Sequence, residues 1–466
     1  MQRSTDCSSK DSGMLFSNRS LWNLIWPLLV EQLLQITLGM ADIIMVSSLG
    51  EASVSGVSLV DQINILITQI FAALATGGAV VCSQYIGRKS TAMAQKTAMQ
   101  LLYATTFIAV VLLVTGTVFH RHVLSAVFGT VDADVMTASR RYFLITLLAL
   151  PAIAVYNAAA AIFRSLGNSR ISMWIAALVN VINIGGNAVL IYGLHWGVEG
   201  VAVPTLLSRL AAAIVLFVCL YTNRTVSIKG ILHMHIDFHL IGRILRIGIP
   251  NGLEGSAFQI GKILVLSLIS SYGTVAIAAN AVGNTLASFE VLPGNAIGIA
   301  MLTVVGQCMG AREYGQAVHY TKKMMAAAYI GFLALNVPLL LLSSRIISLY
   351  GMSPETSRLG WYMTLVHGLC GIFIWPLSFS LPNALRAAGD SAFTMIVSMV
   401  SMWTVRVGMS FVLKATGIFG IIALLGLPAH FGALSVWIAM VMDWIVRSLF
   451  FVVRFVRGRW KQKQVI

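Results

Sequence analysis

The sequence predicts an all-α integral membrane protein of about twelve transmembrane helices, arranged as two parallel, pseudosymmetric six-helix lobes. Three observations lead to this fold class. The 466-residue chain is 58% hydrophobic and only 10% charged, with a mean hydropathy of +0.85, whereas a soluble chain is about 25% charged. Apolar runs long enough to cross a hydrocarbon core of about 30 Å recur along the chain. The second half of the sequence also repeats landmarks of the first half.

Each apolar run is expected to be a helix, because a helix satisfies its own backbone hydrogen bonds in lipid. In order, the predicted spans are 21–46, 54–82, 97–118, 136–162, 171–192, 198–221, 240–269, 275–306, 323–343, 359–385, 392–413 and 432–455. The predicted domains are an N-terminal tail (1–20), an N-lobe (21–222), a linker (223–239), a C-lobe (240–456) and a basic C-terminal tail (457–466).

The distribution of basic residues predicts the orientation. The formal net charge is +15, and cytoplasmic loops carry the excess of Lys and Arg in membrane proteins. With both termini in the cytoplasm, the outer loops hold only six basic residues: Arg121, Arg140, Arg141, Arg345, Arg358 and Lys414. The inner side then holds many more, including Arg3, Lys10, Arg88, Lys89, Arg164, Arg386 and the tail from Arg447. We therefore expect a multi-pass protein of the plasma (inner) membrane, and the charge does not indicate nucleic-acid binding.

The internal repeat is detected by sliding the chain by 223 positions. This shift matches Pro27, Glu31, Gly50, Gln84, Gly87 and Ala94 with Pro250, Glu254, Gly273, Gln307, Gly310 and Ala317. One residue later in the alignment, Arg164 and Gly167 match Arg386 and Gly389. Six spans in each half give both halves the same orientation, and such parallel repeats hold substrate between them near the midplane. This arrangement favours a transporter that works by alternating access.

Polar residues within the spans are the candidate site, because ionisable groups in the bilayer are costly and usually functional. Glu31 and Asp42 lie on one face of the first span, about 16 Å apart along its axis. Asn180, Asn183 and Asn187 follow one face of the fifth span. The second span and its repeat counterpart are also polar, and we expect them to line a wet cavity with Asp61, Asn64, Asn280, Asn284 and Glu290.

Three interpretations of the N-lobe residues remain open. Oxygens of Asp42, of the asparagines and of Thr205 can coordinate a hard cation such as Na⁺. A buried Asp42 can instead carry a proton, because desolvation penalises its charged form. The asparagines can also simply hydrogen-bond between helices. Glu254 is a second candidate, since its span is otherwise apolar nearby.

Several segments together resemble the multidrug and toxic compound extrusion (MATE) family. They are PLLVEQLL (27–34), GMADIIMV (39–46), QYIG (84–87), NIGGN (183–187), IYG (191–193) and GQCMGA (306–311). The resemblance covers nearly the whole chain and implies a V-shaped pair of lobes that exports small organic cations in exchange for Na⁺ or H⁺. It implies no cofactor beyond the coupling ion, and we expect one chain to be a complete transport unit.

The resemblance also implies roles for single residues. Asp42 matches the coupling aspartate of the N-lobe, with Asn183, Asn187 and Thr205 at neighbouring cation-site positions. Glu254 matches the coupling glutamate of the C-lobe. Trp375 stands where some sodium-coupled members have an aspartate, so a two-carboxylate site in the C-lobe is not supported, and the N-lobe is the preferred coupling site.

The main alternative is a flippase for a lipid-linked sugar or cell-wall precursor in the same superfamily. Such proteins often have additional helices and a strongly basic central cavity. The sequence assigns only Arg209, Lys262 and Arg406 to the membrane interior, which favours cation export. An enzyme is not expected, because the HExxH, GxSxG and phosphate-loop motifs are missing, and the twinned lobes give no support to a receptor that does not transport.

Overall fold

The computed structural model of the chain describes residues 13–129, 131–415, 428–463 and 465–466, and it assigns no strand within these ranges. Within these described ranges, eleven helices are long and apolar enough to cross a membrane, and a pair bent by 47° completes a twelfth span. The all-helical, twelve-span prediction is therefore confirmed. The first part of the predicted N-terminal tail, with Arg3 and Lys10, lies outside the described residues.

Most spans are longer than the hydropathy predicted, because their helices continue beyond the apolar stretches. In the N-lobe they are α1 (Asn18–Ser47), α2 (Glu51–Gly87), α3 (Thr91–Phe128), α4 (Ala133–Leu148 and Leu150–Ser165), α5 (Ser169–Gly193) and α6 (Glu199–Thr222). In the C-lobe they are α7 (Phe238–Ser270), α8 (Thr274–Glu290 and Leu292–Gly310), α9 (Tyr314–Ser348), α10 (Pro354–Ala387), α11 (Ser391–Ala415) and α12 (Ala429–Val456).

The two interrupted spans have a local cause. Proline lacks a backbone N–H and clashes with the preceding turn, so it is accommodated best where a helix starts. Pro151 is the second residue of the second segment of α4, and Pro293 holds the same place in α8. Both spans therefore restart directly before a proline.

The backbone repeats with the same shift as the sequence. The α2 helix covers 51–87 and α8 covers 274–310, 223 positions later. Lys89 and Arg312, which follow these helices, have positive φ values of 59° and 60° although neither is glycine. At each end the same two hydrogen bonds close the helix, for example from the Lys89 N–H to the Ile86 carbonyl and from the Arg312 N–H to the Met309 carbonyl. Equivalent residues thus terminate equivalent helices.

The lobes meet along the first two helices of each half. The α2 helix packs on α7, and α1 packs on α8. Gly77 of α2 lies against the backbone of Ile244 and Gly248 in α7, so a side chain at that position would overlap the opposite lobe. Small residues allow helix backbones to approach closely within a membrane, and they do so here between the lobes.

The chain ends mark one face of the molecule, which we call the tail side. Gly13 lies there beside the α2–α3 loop (88–90) and the α8–α9 loop (311–313), and Ile466 lines a cavity with Arg88 and Arg312. On this side a single apolar core includes both lobes, with Tyr85 and Leu385 as members. On the opposite side each lobe has its own core. The lobes therefore join at the tail side and diverge away from it.

Candidate functional site

Four predicted residues form one hydrogen-bonded chain, the N-lobe network (Asp42, Asn183, Asn187 and Thr205). The Asn187 Nδ2 donates to Asp42 Oδ1 at 2.7 Å and lies 3.2 Å from Asn183 Oδ1. The Asn183 Nδ2 donates to Thr205 Oγ1 at 2.9 Å. The network joins α1 to α5 and α5 to α6, so the helical spacing read from the sequence brings these side chains together.

One oxygen of this network has no partner. Asn183 and Asn187 are 1% and 0% exposed, and the Oδ1 of Asn187 accepts no hydrogen bond from any described residue. An unsatisfied buried carbonyl oxygen is uncommon in a folded protein and calls for an explanation. Beside the carboxylate of Asp42 it provides the kind of oxygen that a small hard cation binds.

A second carboxylate lies near this network. Tyr142 donates from its hydroxyl to Asp61 Oδ1 at 3.1 Å, and Asn64 lies 3.4 Å from the same oxygen. Asp61 and Arg209 are the charged side chains that act electrostatically on Asp42. The sequence predicts Asp61 on a cavity wall. It gives no signal for Tyr142, because an aromatic residue in α4 has many possible partners.

Glu31 belongs to a buried ion pair. Its carboxylate lies 2.9 Å from Arg164 Nη1 and accepts a 2.6 Å hydrogen bond from Ser172 Oγ. Both Glu31 and Arg164 face a cavity of about 320 Å³ that lies between the lobes. Arg164 follows the predicted span 136–162 and was therefore expected in a loop. It lies instead in the last turn of α4, and its side chain turns inward to Glu31.

Glu254 forms the equivalent pair in the C-lobe. Its Oε1 lies 2.7 Å from Arg386 Nη2 and 3.6 Å from Arg447 Nη2. Arg386 occupies the repeat position of Arg164, so both lobes contain the same carboxylate–arginine pair. Two arginines already compensate the charge of Glu254, and its role in coupling stays a prediction.

The C-lobe cavity has a volume of about 510 Å³ and is lined by Glu254, Lys262, Arg386, Arg406 and Arg447 together with Trp375 and Phe379. The sequence assigns only Lys262 and Arg406 of the C-lobe to the membrane interior. This assignment was wrong, because Arg386 and Arg447 also line this cavity. Arg386 follows the predicted span 359–385 by one residue, and Arg447 lies within the predicted span 432–455 although its charge grouped it with the basic tail.

The other predicted cavity residues divide into two groups. Asn284 lines the C-lobe cavity. Asn280 lies behind its wall, where its Oδ1 accepts a 3.2 Å hydrogen bond from Trp437 Nε1, and Glu290 is buried against the ring of His367. In the N-lobe, Asn180 is 7% exposed and donates only to the carbonyl of Ala176 in its own helix.

Comparison with known proteins gives one family match in each half of the chain. The MatE family model matches residues 27–189 and 250–412. The "Uncharacterized transporter YisQ" of Bacillus subtilis (strain 168) is 29% identical over 95% of both chains. The "Probable multidrug resistance protein NorM" of Thermotoga maritima is 23% identical over 96% of this chain and 94% of the relative.

Solved structures share the fold. A multidrug resistance MATE family transporter of the MOP superfamily, solved in an outward-facing conformation, superposes with a TM-score of 0.86 at 19% identity, over 96% of this chain and 97% of the other. A MOP superfamily transporter from Pyrococcus furiosus superposes with a TM-score of 0.82 at 19% identity over the same shares, and a reversed polarity of its binding pocket is described as suggesting a different function for it.

Proposed function

Because the chain belongs to the MatE family of multidrug efflux transporters, we propose that it is an ion-coupled antiporter that exports small organic cations in exchange for Na⁺ or H⁺. The lobes alternate between opening on the tail side and opening on the opposite side. Their shared core on the tail side and separate cores elsewhere support this motion. The described conformation opens away from the tails.

The N-lobe network is the proposed coupling site. The observation that carries this proposal is the unpartnered Oδ1 of Asn187 beside the carboxylate of Asp42. A sodium ion would find oxygens of Asp42, Asn183, Asn187 and Thr205, which are the hard ligands that such ions prefer. A proton would instead neutralise Asp42 and change its hydrogen bond with Asn187.

Occupancy of this site would reach the lobe interface through α1. Asp42 and Asn187 connect α1 to α5, and α1 also packs against α8 of the other lobe. A ligand shifts an equilibrium only through different interactions in the two states. The bond between Asp42 and Asn187 is such an interaction, because an ion or a proton at Asp42 competes with it.

The charge of the N-lobe supports a cationic cargo. Arg209 is the base that acts electrostatically on Asp42, and its guanidinium carbon lies 5.7 Å from the ring centroid of Tyr156. Aromatic faces and carboxylates both attract organic cations.

We further propose that the tail side is cytoplasmic, because Arg88, Lys89 and Arg312 lie there and cytoplasmic loops are enriched in such residues.

The test uses purified protein in proteoliposomes and follows a fluorescent organic cation under an imposed Na⁺ or pH gradient. We expect uptake that depends on one of these gradients and does not occur with a matched membrane potential alone. Asp42→Asn should abolish this uptake and leave the protein folded. Asp237→Asn is the matched control, because Asp237 pairs with Lys96 on the tail side, at 2.6 Å, far from the network. Normal pumping by folded Asp42→Asn protein would contradict the assignment.

The C-lobe cavity gives a second candidate function some support. Its four basic side chains suit the phosphates of a lipid-linked sugar or cell-wall precursor, which is the cargo of the flippase alternative. Movement of such a lipid between leaflets in the same vesicles, with no movement of organic cations, would favour the flippase.

A further inference from the structure

The charges of the C-lobe cavity do not balance. Glu254 has Arg386 as its ion-pair partner, and Asp443, behind the wall, lies 4.0 Å from Arg447. Once these carboxylates are matched with arginines, Lys262 and Arg406 remain, and neither forms an ion pair with any residue that the structure describes. The two cations also act on each other electrostatically, and Asp443, the carboxylate that acts on Arg406, is already paired with Arg447.

Several guanidinium N–H groups around this cavity have no hydrogen-bond acceptor. Within the described part of the chain, the Nε atoms of Arg386, Arg406 and Arg447 and the Nη1 of Arg447 are buried and donate to no acceptor. Arg406 is only 9% exposed. Leaving a buried donor unpaired is unfavourable, and more so when the group is charged. Several such donors beside one cavity favour an acceptor supplied by a bound molecule.

The excess of positive charge is specific to the C-lobe. Lys262 corresponds by the repeat to Gly39, and Arg406 corresponds to Ile184. Arg406 also lies in a π-helical segment of α11, Met402–Gly408, and such segments occur often at functional sites. The internal repeat therefore does not account for these two cations.

Aromatic rings form part of the wall. Phe379 stacks on Trp375 with ring centroids 4.8 Å apart, and the guanidinium of Arg406 lies 5.3 Å from the ring centroid of Phe258. The volume of about 510 Å³ lies within the range of about 300–1,000 Å³ that is usual for small-molecule sites. Gln69 of α2 contributes to the same wall, so the cavity faces the cleft between the lobes.

We propose that the C-lobe cavity binds the carboxylate or phosphate group of an amphipathic molecule, with Lys262 and Arg406 as its ionic partners and the rings of Trp375 and Phe379 against its apolar body. That the bound molecule is also the transported substrate rests on the proposed function. A zwitterion carries charges complementary to both lobes, to Asp42 and Asp61 in the N-lobe and to Lys262 and Arg406 in the C-lobe.

The experiment is equilibrium binding to the full-length protein in nanodiscs of neutral phosphatidylcholine, with three probes that share one fluorophore. Dansylglycine carries a carboxylate, dansylamide is neutral and dansylcadaverine is cationic. We expect dansylglycine to bind about tenfold more tightly than dansylamide, a difference of about 1.4 kcal/mol, because its carboxylate forms charge-assisted hydrogen bonds with Lys262 and Arg406. Lys262→Gln and Arg406→Gln should each remove most of this preference and leave the affinity for dansylamide unchanged.

Two variants serve as controls. Arg406→Lys keeps a positive charge and should keep part of the preference for the carboxylate. Arg209→Gln removes a base from the N-lobe and should leave the preference intact. Equal affinities for dansylglycine and dansylamide in the unmodified protein would overturn the proposal. A loss in Arg406→Gln that is the same for both probes would also overturn it, because it would indicate a structural role.

The source of the anionic group is tested by exchanging the lipid. Competition by phosphatidylglycerol in the nanodisc would identify a lipid headgroup, whereas a preference for dansylglycine that survives this exchange would identify a soluble anion; both outcomes support an anion site. Binding requires no ion gradient, so the proposed function and this inference can fail separately. Selective binding without gradient-driven transport would refute the antiporter and keep the site.

Discussion

Asn187 and Asn180 lie on the same face of α5, about two turns apart, but only Asn187 contacts Asp42. We predict that Asn187→Leu lowers gradient-driven uptake by about tenfold or more, since it removes a bond to a charged group worth about 1.5–3 kcal/mol. Asn180→Leu should leave uptake nearly unchanged. The measurement is the initial rate in proteoliposomes, and an equal loss in both variants would exclude a specific role for the network.

Glu31 and Arg164 allow a second prediction at the residue scale. Removing one partner of a buried ion pair costs about 3–5 kcal/mol, and Glu31 is only 1% exposed. We expect Glu31→Ala to lower the thermal midpoint in detergent strongly, and Glu31→Leu combined with Arg164→Met to recover most of the loss.

The control for this prediction is the exposed pair of Arg141 and Glu199, 3.1 Å apart. Surface ion pairs contribute about 0–1 kcal/mol, so Glu199→Ala should change the midpoint little. If Glu31→Ala and Glu199→Ala had equal effects, the pair of Glu31 and Arg164 would not stabilise the fold.

The sequence predicted these residues unequally well. Asp42, Asn183, Asn187 and Thr205 could be grouped, because helical periodicity fixes which side chains share a face and the family resemblance pairs the helices. The partner of Glu31 could not be found in this way. Arg164 lies at a helix end, where hydropathy does not distinguish a loop from the last turn, and its contact with α1 depends on tertiary packing.

At the scale of elements, the contact between the ends of α2 and α8 is the most constrained part of the lobe interface. A side chain on Gly87 would overlap the backbone of Gln307, and one on Gly310 would overlap the backbone of Gln84. The Gln84 Nε2 donates to the carbonyl of Ala387 at 2.8 Å, and the Gln307 Nε2 donates to the carbonyl of Ser165 at 2.8 Å. Each lobe thereby satisfies the last carbonyl of a helix in the other lobe.

We predict that Gly87→Ala opens this contact, because a backbone neighbour cannot move aside and overpacking costs about 1–3 kcal/mol. Cys308 is fully buried beside the contact, so its rate of maleimide labelling should rise severalfold once the other cysteines are replaced. Gly185→Ala is the control, since no atom outside its own helix lies within 4 Å of the added methyl. Unchanged labelling of Cys308 in Gly87→Ala would contradict the prediction.

The elements themselves were predicted well in number and order, but less well in detail. Hydropathy ended the second span at 82, whereas α2 continues to Gly87, because backbone hydrogen bonds extend a helix beyond its apolar stretch. Pro151 and Pro293 could have indicated the interruptions of α4 and α8. The π-helical turn at Pro376–Ser380 has no comparable signal, because it depends on how α10 packs.

At the scale of the whole molecule, alternating access requires the contact between the lobes to open in each cycle. We predict that a disulfide between Ala73→Cys in α2 and Gly252→Cys in α7, in a background without other cysteines, stops transport and that a reductant restores it. The added Cβ at position 252 would lie 3.2 Å from the Cβ of Ala73, close to the separation of about 3.5–4.5 Å that a disulfide requires. Each single variant is the control, and full activity of the oxidised double variant would exclude opening at this contact.

The repeat made the two-lobe architecture predictable, but it could not predict the direction in which the lobes open. That direction depends on which contacts between the lobes are formed, such as those of Gly77 and Gly310 on the joined side. The repeat was also a poor guide to charge. It predicts similar lobes, yet Lys262 and Arg406 stand where the N-lobe has Gly39 and Ile184. An acidic lobe and a basic lobe therefore face the same cleft.

The reciprocal bonds of Gln84 and Gln307 have an evolutionary consequence. In a symmetric dimer, residue i of one subunit contacts residue j of its partner, and j contacts i in return. A single glutamine in a six-helix ancestor would therefore have capped a helix in both subunits of a homodimer. Duplication and fusion of that ancestral gene would preserve both bonds at once. The fused halves could then acquire different binding chemistry while the contact that holds them together remained the same.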